Sequence, residues 1–250
     1  MSTLLGYTGF VGKNLANFYS FHHCYNSDNL LEMTQVRHKT IFCAAPSATK
    51  WKINQDPSQD ARNVDLICQT LEKVECDKII LFSTIDVYGQ FPATEIDKPS
   101  KEVVTPYGKN RIILEEFISK RFENHHIIRL PGLFGPHLKK NIIFDILNKN
   151  QVSAINLEDQ FQWFDLREIK DMIEFVISRG IDILNVATEP IKNEELLDLF
   201  YNRYPEKIKE ILLESRSPRS VYDMKSIYAE TGYVHNKEHI LGKIDEFINI

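Results

Sequence analysis

Met1-Ser-Thr-Leu-Leu-Gly6-Tyr-Thr8-Gly9-Phe10-Val11-Gly12 opens the chain, and this stretch decides the fold. It reads as a short apolar strand, a glycine turn, and the start of a helix whose apolar side carries Val11, Leu15 and Phe18. The spacing is G-x-x-G-x-x-G, and each glycine has a task. Gly6 turns the chain sharply off the strand. Gly9 removes a side chain where a pyrophosphate must approach the backbone, and Gly12 lets the helix pack close to the strand. The free N–H groups and positive dipole end of that helix then face the phosphates, with Thr8, Phe10 and Val11 lining the same turn. The competing reading is an ordinary strand-to-helix turn. The strand before it and the amphipathic helix after it favour a dinucleotide cradle.

Working outward, 250 residues can bury a substantial core, as one large domain or one domain with a small appendage. A hydrophobic content of 43% with 26% charged residues is ordinary for a soluble protein. A net charge of −5 with no offsetting basic run argues against a nucleic-acid partner. No stretch approaches the length of a membrane span, and the N-terminus enters the first strand directly, so neither a membrane partner nor a signal peptide is expected. Cys24, Cys43, Cys68 and Cys76 lack metal-ligand spacing. Three of them sit in apolar segments, which suits a reducing cytoplasm with no disulfide.

Taken in order, the chain alternates strand and helix. Phe21–Tyr25 reads as a second strand that ends near Asn26-Ser27-Asp28-Asn29. An acidic residue there would accept from the ribose 2′-hydroxyl of NAD, whereas Asn26 and Ser27 could hydrogen-bond the 2′-phosphate of NADP, so both cofactors stay open. Thr40–Ala45 is a third strand; the small residues Ala44 and Ala45 before Pro46 let a flat group lie against its end. A helix over Ser58–Val74 carries Val64, Ile67, Cys68, Leu71 and Val74 on one stripe. Lys78–Thr84 is a fourth strand closed by Ser83 and Thr84, which a parallel sheet places at the carboxyl edge where ligands bind. A helix opens at Pro106-Tyr107, and a fifth strand spans Asn124–Leu130. Helices are expected over Asn141–Asn148, Leu166–Ser178, Asn193–Tyr201 and Glu238–Ile248, with a strand over Ile181–Ala187. The fold class is therefore α/β: a doubly wound parallel sheet over residues 1–131, and a mixed region over 132–250 that returns one strand to the sheet and forms a small substrate-binding lobe. The pairs His22-His23 and His125-His126 lie in strand-like runs with no third ligand at metal spacing, so no metal is expected there.

Four motifs in this order, Gly6-x-x-Gly9-x-x-Gly12, Ser83-Thr84-Ile-Asp86-Val-Tyr88-Gly89, Pro106-Tyr107-Gly-Lys109-Asn-Arg111 and Arg129-Leu130-Pro131-Gly132-Leu-Phe-Gly135-Pro136, resemble the extended short-chain dehydrogenase/reductases. The nearest group is the NAD(P)-dependent epimerase/dehydratase family acting on nucleotide sugars. The resemblance covers nearly the whole chain; Asn63-Val64 fits it, and Gln162-Trp-Phe-Asp165 and Asp223-Met-Lys225 fit it loosely. It implies NAD or NADP as cofactor, a nucleotide-sugar substrate, and a homodimer paired through the helix after Ala61 and the helix starting at Tyr107. It also implies that Thr84 positions the substrate oxygen and Tyr107 acts as acid/base. Ser83, Asn63 and the run Leu130-Pro131-Gly132 would then border the cofactor, and Tyr88 and Asp86 the substrate.

Two departures bear on activity. The family's lysine four residues after the tyrosine is Arg111 here; Lys109 projects roughly 200° around the helix and does not replace it. Arginine keeps the charge, which would lower the phenol's pKa and bind ribose hydroxyls, but it cannot release a proton. Dehydratases of the family carry an Asp-Glu pair after the threonine, where this chain has Ile85-Asp86. The missing carboxylate speaks against 4,6-dehydration, while keto-sugar reduction or epimerisation needs only Thr84, Tyr107 and the nicotinamide. The substrate half is trimmed, and Arg216 and Arg219 are the nearest candidates for a diphosphate clamp, with Asn141 a further candidate. A non-catalytic nicotinamide-nucleotide sensor of the same fold is the alternative.

Overall fold

The computed structural model describes every residue except 48, 204, 206–216 and 250. Its centre is a six-stranded parallel sheet in the order β2-β1-β3-β4-β5-β9. The strands are β1 (Ser2–Leu5), β2 (His23–Tyr25), β3 (His38–Cys43), β4 (Cys76–Thr84), β5 (His125–Leu130) and β9 (Ile183–Asn185). Successive side chains on a strand point to opposite faces, so these runs, apolar at consecutive positions, supply two cores. Leu5, Ile79, Leu81 and Ile127 meet Val64, Ile67 and Leu71 of α3 (Ser58–Glu72) and Leu114 and Ile118 of α4 (Pro106–Arg121). Leu4, Ile80 and Ile128 meet Leu15 of α1 (Phe10–Leu15) and Ile169, Ile173 and Val176 of α6 (Ile169–Arg179). Each such fully buried aliphatic side chain contributes about 1.5–3 kcal/mol of transfer free energy.

The strand order decides where a ligand can sit. The chain pairs β2 on one side of β1 and then crosses to lay β3 on the other. The crevice of an open α/β sheet lies at such a reversal, outside the carboxyl ends of the strands. Here those ends carry the glycine turn and Ala44-Ala45-Pro46.

The turn has the backbone that its spacing predicts. Gly6 has φ +89°, and a Cβ there would lie 2.6 Å from Ala44 O. A Cβ on Gly12 would lie 2.2 Å from Gly6 O. Both collisions are with backbone, so no rotamer relieves them. Gly12→Ala is therefore expected to destabilise by about 1–3 kcal/mol in chemical denaturation, the usual cost of overpacking. Gly242→Ala is the control: a Cβ at that position of α8 (Lys237–Ile248) would enter open space, so the variant should gain about 0.5–1 kcal/mol.

Several local expectations are corrected: the strand expected over Ile181–Ala187 pairs only over Ile183–Asn185, and the helix expected from Leu166 opens as a 3₁₀ turn, Leu166–Glu168, before α6. The first helix stops at Leu15, and Phe18 remains 37% exposed. The second strand is shorter than Phe21–Tyr25, because Phe21 packs with Tyr19 against Phe42 and does not join the ladder.

Beyond β5, β6 (Gly132–Phe134) pairs in parallel with β8 (Trp163–Asp165), and β7 (Gln160–Phe161) pairs antiparallel with β10 (Ile191–Lys192). With α5 (Ile142–Asn148), α7 (Asn193–Arg203) and α8 they enclose a third core around Phe134, Trp163, Leu196, Phe200 and Ile244. Among the described residues no helix is long and apolar enough to cross a membrane.

Candidate active site

β4 ends in Ser83-Thr84, and the chain turns at once into a 3₁₀ segment, Ile85–Tyr88. Thr84 starts that turn: its Oγ1 accepts from Asp86 N at 3.2 Å and donates to Asp86 Oδ2 at 3.2 Å. Across the crevice α4 begins with Thr105 as its N-cap and Pro106 in its first turn, a favourable helix start. The next residue is Tyr107. Gly108 lets this end of α4 approach, since a Cβ there would lie 2.5 Å from Asp86 O. Asn54 Oδ1 of α2 (Lys50–Gln55) accepts from Tyr107 N at 3.1 Å and pins the helix start. The Tyr107 phenol is buried, with the Thr84 side chain close enough to lower its pKa. Thr84 lies two strands from the glycine turn, about 10 Å at ordinary strand spacing.

Arg111 lies beneath this pair. Its Nη2 donates to Asp60 Oδ1 of α3 at 2.6 Å, and Asn110 Nδ2 donates to Asp60 Oδ2 at 2.7 Å. The two charged side chains are 5% and 4% exposed. The guanidinium carbon lies 4.8 Å from the centroid of the Tyr107 ring, and Nη1 is buried with no hydrogen-bond partner. That orphaned donor beside the phenol, together with the glycine cradle at the sheet's reversal, fits a dinucleotide with a ribose hydroxyl above Arg111.

Lys50 and Tyr222 carry no signal that the sequence reading could use. Lys50 Nζ donates to Asp86 Oδ1 at 2.6 Å and to Tyr222 Oη at 2.7 Å, and Tyr222 Oη donates to the same carboxylate at 2.8 Å. Lys50 follows the end of β3 outside any periodic pattern, and Tyr222 lies 136 residues from Asp86. The one usable cue was the neighbouring Asp223-Met-Lys225 segment. Gln162 ties that segment down: its Oε1 accepts from Met224 N at 2.8 Å and its Nε2 donates to Met224 O at 2.9 Å.

The electrostatics correct one expectation. Burial pushes the Tyr107 phenol above its ordinary pKa, and the Arg111 charge offsets this only in part. Asp86 raises it further, while Lys50 and the Thr84 side chain lower it. Desolvation thus outweighs the nearby cation, and at neutral pH the phenol holds its proton.

The remaining candidates fall into three groups. Ala44, Ala45 and Pro46 are half-buried beside Gly6, with Ala44 N donating to Leu5 O at 2.8 Å. Asn26 and Ser27 follow β2 directly and hydrogen-bond Asp28, at the edge of the same crevice. Leu130 sits opposite Thr84 in the ladder, and Pro131-Gly132 carry the chain away from it. Asn63 is half-buried one turn beyond Asp60 and accepts from Gln59 at 3.0 Å.

A second group is committed to structure. Ser83 Oγ donates to Glu115 Oε1 at 2.5 Å, and Glu115 also pairs with buried Arg129. Tyr88 Oη donates to Thr94 O at 2.7 Å and contacts Arg129 Nη1. Asn141 caps α5, accepting from Phe144 N at 3.1 Å while donating to Leu133 O at 2.8 Å. In the third group, Arg219 is 61% exposed and 3.4 Å from Asp159, and Arg216 lies outside the described residues.

No protein-family model matches the chain, and no curated protein matches it in sequence. Solved structures do match in fold. A UDP-glucose 4-epimerase with UDP-glucose from Thermotoga maritima superposes with TM-score 0.72 at 15% identity, covering 100% of this chain and 98% of that one. A dTDP-4-dehydrorhamnose reductase from Yersinia enterocolitica gives 0.73 at 14%, covering 99% and 98%. RMD from Pseudomonas aeruginosa, solved with NADPH, gives 0.73 at 17%, covering 99% and 98%. At such identities the likeness is one of architecture, and over its whole length this chain has the fold of those three structures.

Proposed function

We propose that this chain is an NAD(P)-dependent oxidoreductase acting on a nucleotide-linked sugar, as a keto-sugar reductase or epimerase. The observation that carries the reading is the meeting of Thr84 and Tyr107 at the carboxyl edge of the sheet, two strands from the glycine turn. Bound nicotinamide supplies or accepts the hydride. Gly6, Gly9 and Gly12 leave the backbone open to its pyrophosphate, and Arg111 Nη1 takes a ribose hydroxyl. Thr84 holds the sugar's carbonyl oxygen. Tyr107 gives that oxygen its Oη proton as negative charge develops, and recovers it in the reverse direction. A phenol kept protonated by burial favours the reducing direction.

Arg111 cannot exchange a proton, so the nearby exchangeable cation is Lys50, 39% exposed and held by Asp86 and Tyr222. Its charge draws the Tyr107 pKa down. Lys50→Met should therefore move the alkaline limb of the pH–rate profile for reduction to higher pH, and Lys50→Arg should restore it. Each unit of that shift corresponds to about 1.4 kcal/mol. A limb that stays in place would leave Lys50 a purely structural role.

Residues 132–250 return β9 to the sheet and form a small substrate lobe, with Arg219 there and Asp86 after β4 as the side chains offered to the diphosphate and the sugar. The four cysteines are all unpaired, which suits the cytoplasm. Leu66 of α3 and Ile113 of α4 are 40% and 38% exposed on adjacent helices, which supports a homodimer through that face. The rival reading is a non-catalytic nicotinamide-nucleotide sensor. It draws on Arg111 being locked to Asp60, and it leaves the convergence of Thr84, Tyr107 and Lys50 without a purpose. Titration with NADH and with NADPH tests the reading: the nicotinamide fluorescence should shift with at least one, and oxidation of that cofactor should follow addition of a nucleotide-linked keto-sugar. No shift with either would remove the proposal, and a shift without turnover on any keto-sugar would favour the sensor.

A further inference from the structure

Away from this crevice, three potential ligands converge where α8 meets β8. Glu168 closes the 3₁₀ turn Leu166–Glu168 after β8. His235 and His239 flank Asn236, the N-cap of α8. One ligand atom from each lies within 4.8 Å of the others. Glu168 Oε2 is 3.0 Å from His239 Nε2 and 3.5 Å from His235 Nε2. The imidazoles stack with centroids 4.3 Å apart, and His235 Nε2 is buried with no hydrogen-bond partner.

We propose that Glu168, His235 and His239 form a binding site for one divalent cation of the zinc class. Two imidazoles and a carboxylate are the donor set that such ions take, with a fourth position left to water. At bond lengths of about 2.0–2.1 Å, tetrahedral donors stand roughly 3.4 Å apart. The two carboxylate–imidazole separations are already close to that value, so only the imidazoles need to turn relative to each other. His239 Nε2 must give up any proton it donates to Glu168; that proton passes to solvent, and its ring carries the remaining one on Nδ1.

Two cations oppose the ion: the Arg167 guanidinium, beside Glu168 in the chain, and Lys243. Lys243 Nζ lies 3.8 Å from Glu168 Oε1. It also lies 3.2 Å from Glu246 Oε2, so it has a second partner to turn to when a cation takes Glu168. Bound there, the ion would tie the terminal helix to the turn after β8.

The test uses the full chain, stripped with a chelator and titrated with Zn²⁺ by calorimetry and with Co²⁺ by visible absorption. One equivalent should bind saturably, and the melting temperature should rise with added Zn²⁺. The double variant His235→Ala/His239→Ala should weaken binding by more than about tenfold, while Lys243→Met should strengthen it. Absence of a saturable single equivalent, equal affinity in the double variant, or weaker binding in Lys243→Met would each overturn the site. The nicotinamide fluorescence titration is independent of all these outcomes.

Discussion

Tyr107→Phe is expected to lower turnover by about 10²–10⁴-fold while leaving the nicotinamide fluorescence shift intact. The substitution removes one oxygen and little else. The ring stays buried between Thr84 and the Arg111 guanidinium, 4.8 Å from its centroid, and the Tyr107 N–H to Asn54 Oδ1 bond is untouched. The proposed pyrophosphate cradle lies at the ends of β1 and β3, and Arg111, on the same helix as Tyr107, is unchanged in the variant. Steady-state turnover on a nucleotide-linked keto-sugar, measured beside NADH and NADPH titrations, separates the two effects. Unchanged turnover would remove Tyr107 as the proton donor; loss of both turnover and shift would point to a damaged site.

Asp60→Ala is expected to cost about 3–5 kcal/mol of stability in chemical denaturation, the typical result of stranding one member of a buried ion pair. Arg111 and Asp60 are 5% and 4% exposed, and Asn110 shares the carboxylate. Removing Asp60 leaves a guanidinium with two unpartnered ends in the interior, since Nη1 already lacks an acceptor. Asp60→Leu/Arg111→Met, which replaces the pair with apolar groups of similar volume, should recover most of the loss. A loss below about 1 kcal/mol for Asp60→Ala, the level of a solvated surface pair, would contradict the buried reading.

Much of this architecture was legible in the sequence because it is local. The glycine spacing demanded the backbone found at Gly6 and Gly12, and consecutive apolar residues in β4 and β5 signalled strands covered on both faces. Thr84 and Tyr107 were legible through motif order. What escaped was non-local or depended on solvation. No spacing rule ties Lys50 and Tyr222 to Asp86, and none tells that Arg111 would be consumed by Asp60 one helix away. The sign of the Tyr107 shift also escaped, because it rests on how deeply α4 buries the phenol. Ser83, Tyr88 and Asn141 carry residue types suited to ligand binding, yet their hydrogen bonds go to Glu115, Thr94 O and the start of α5.

The most direct measurement is a crystal structure of the full chain soaked with NADPH or NAD. The account predicts density for the pyrophosphate over Gly6–Gly12, a ribose hydroxyl within hydrogen-bond reach of Arg111 Nη1, and the nicotinamide ring against Thr84 and Tyr107. A dinucleotide bound elsewhere, or one whose nicotinamide points away from those two hydroxyls, would contradict it.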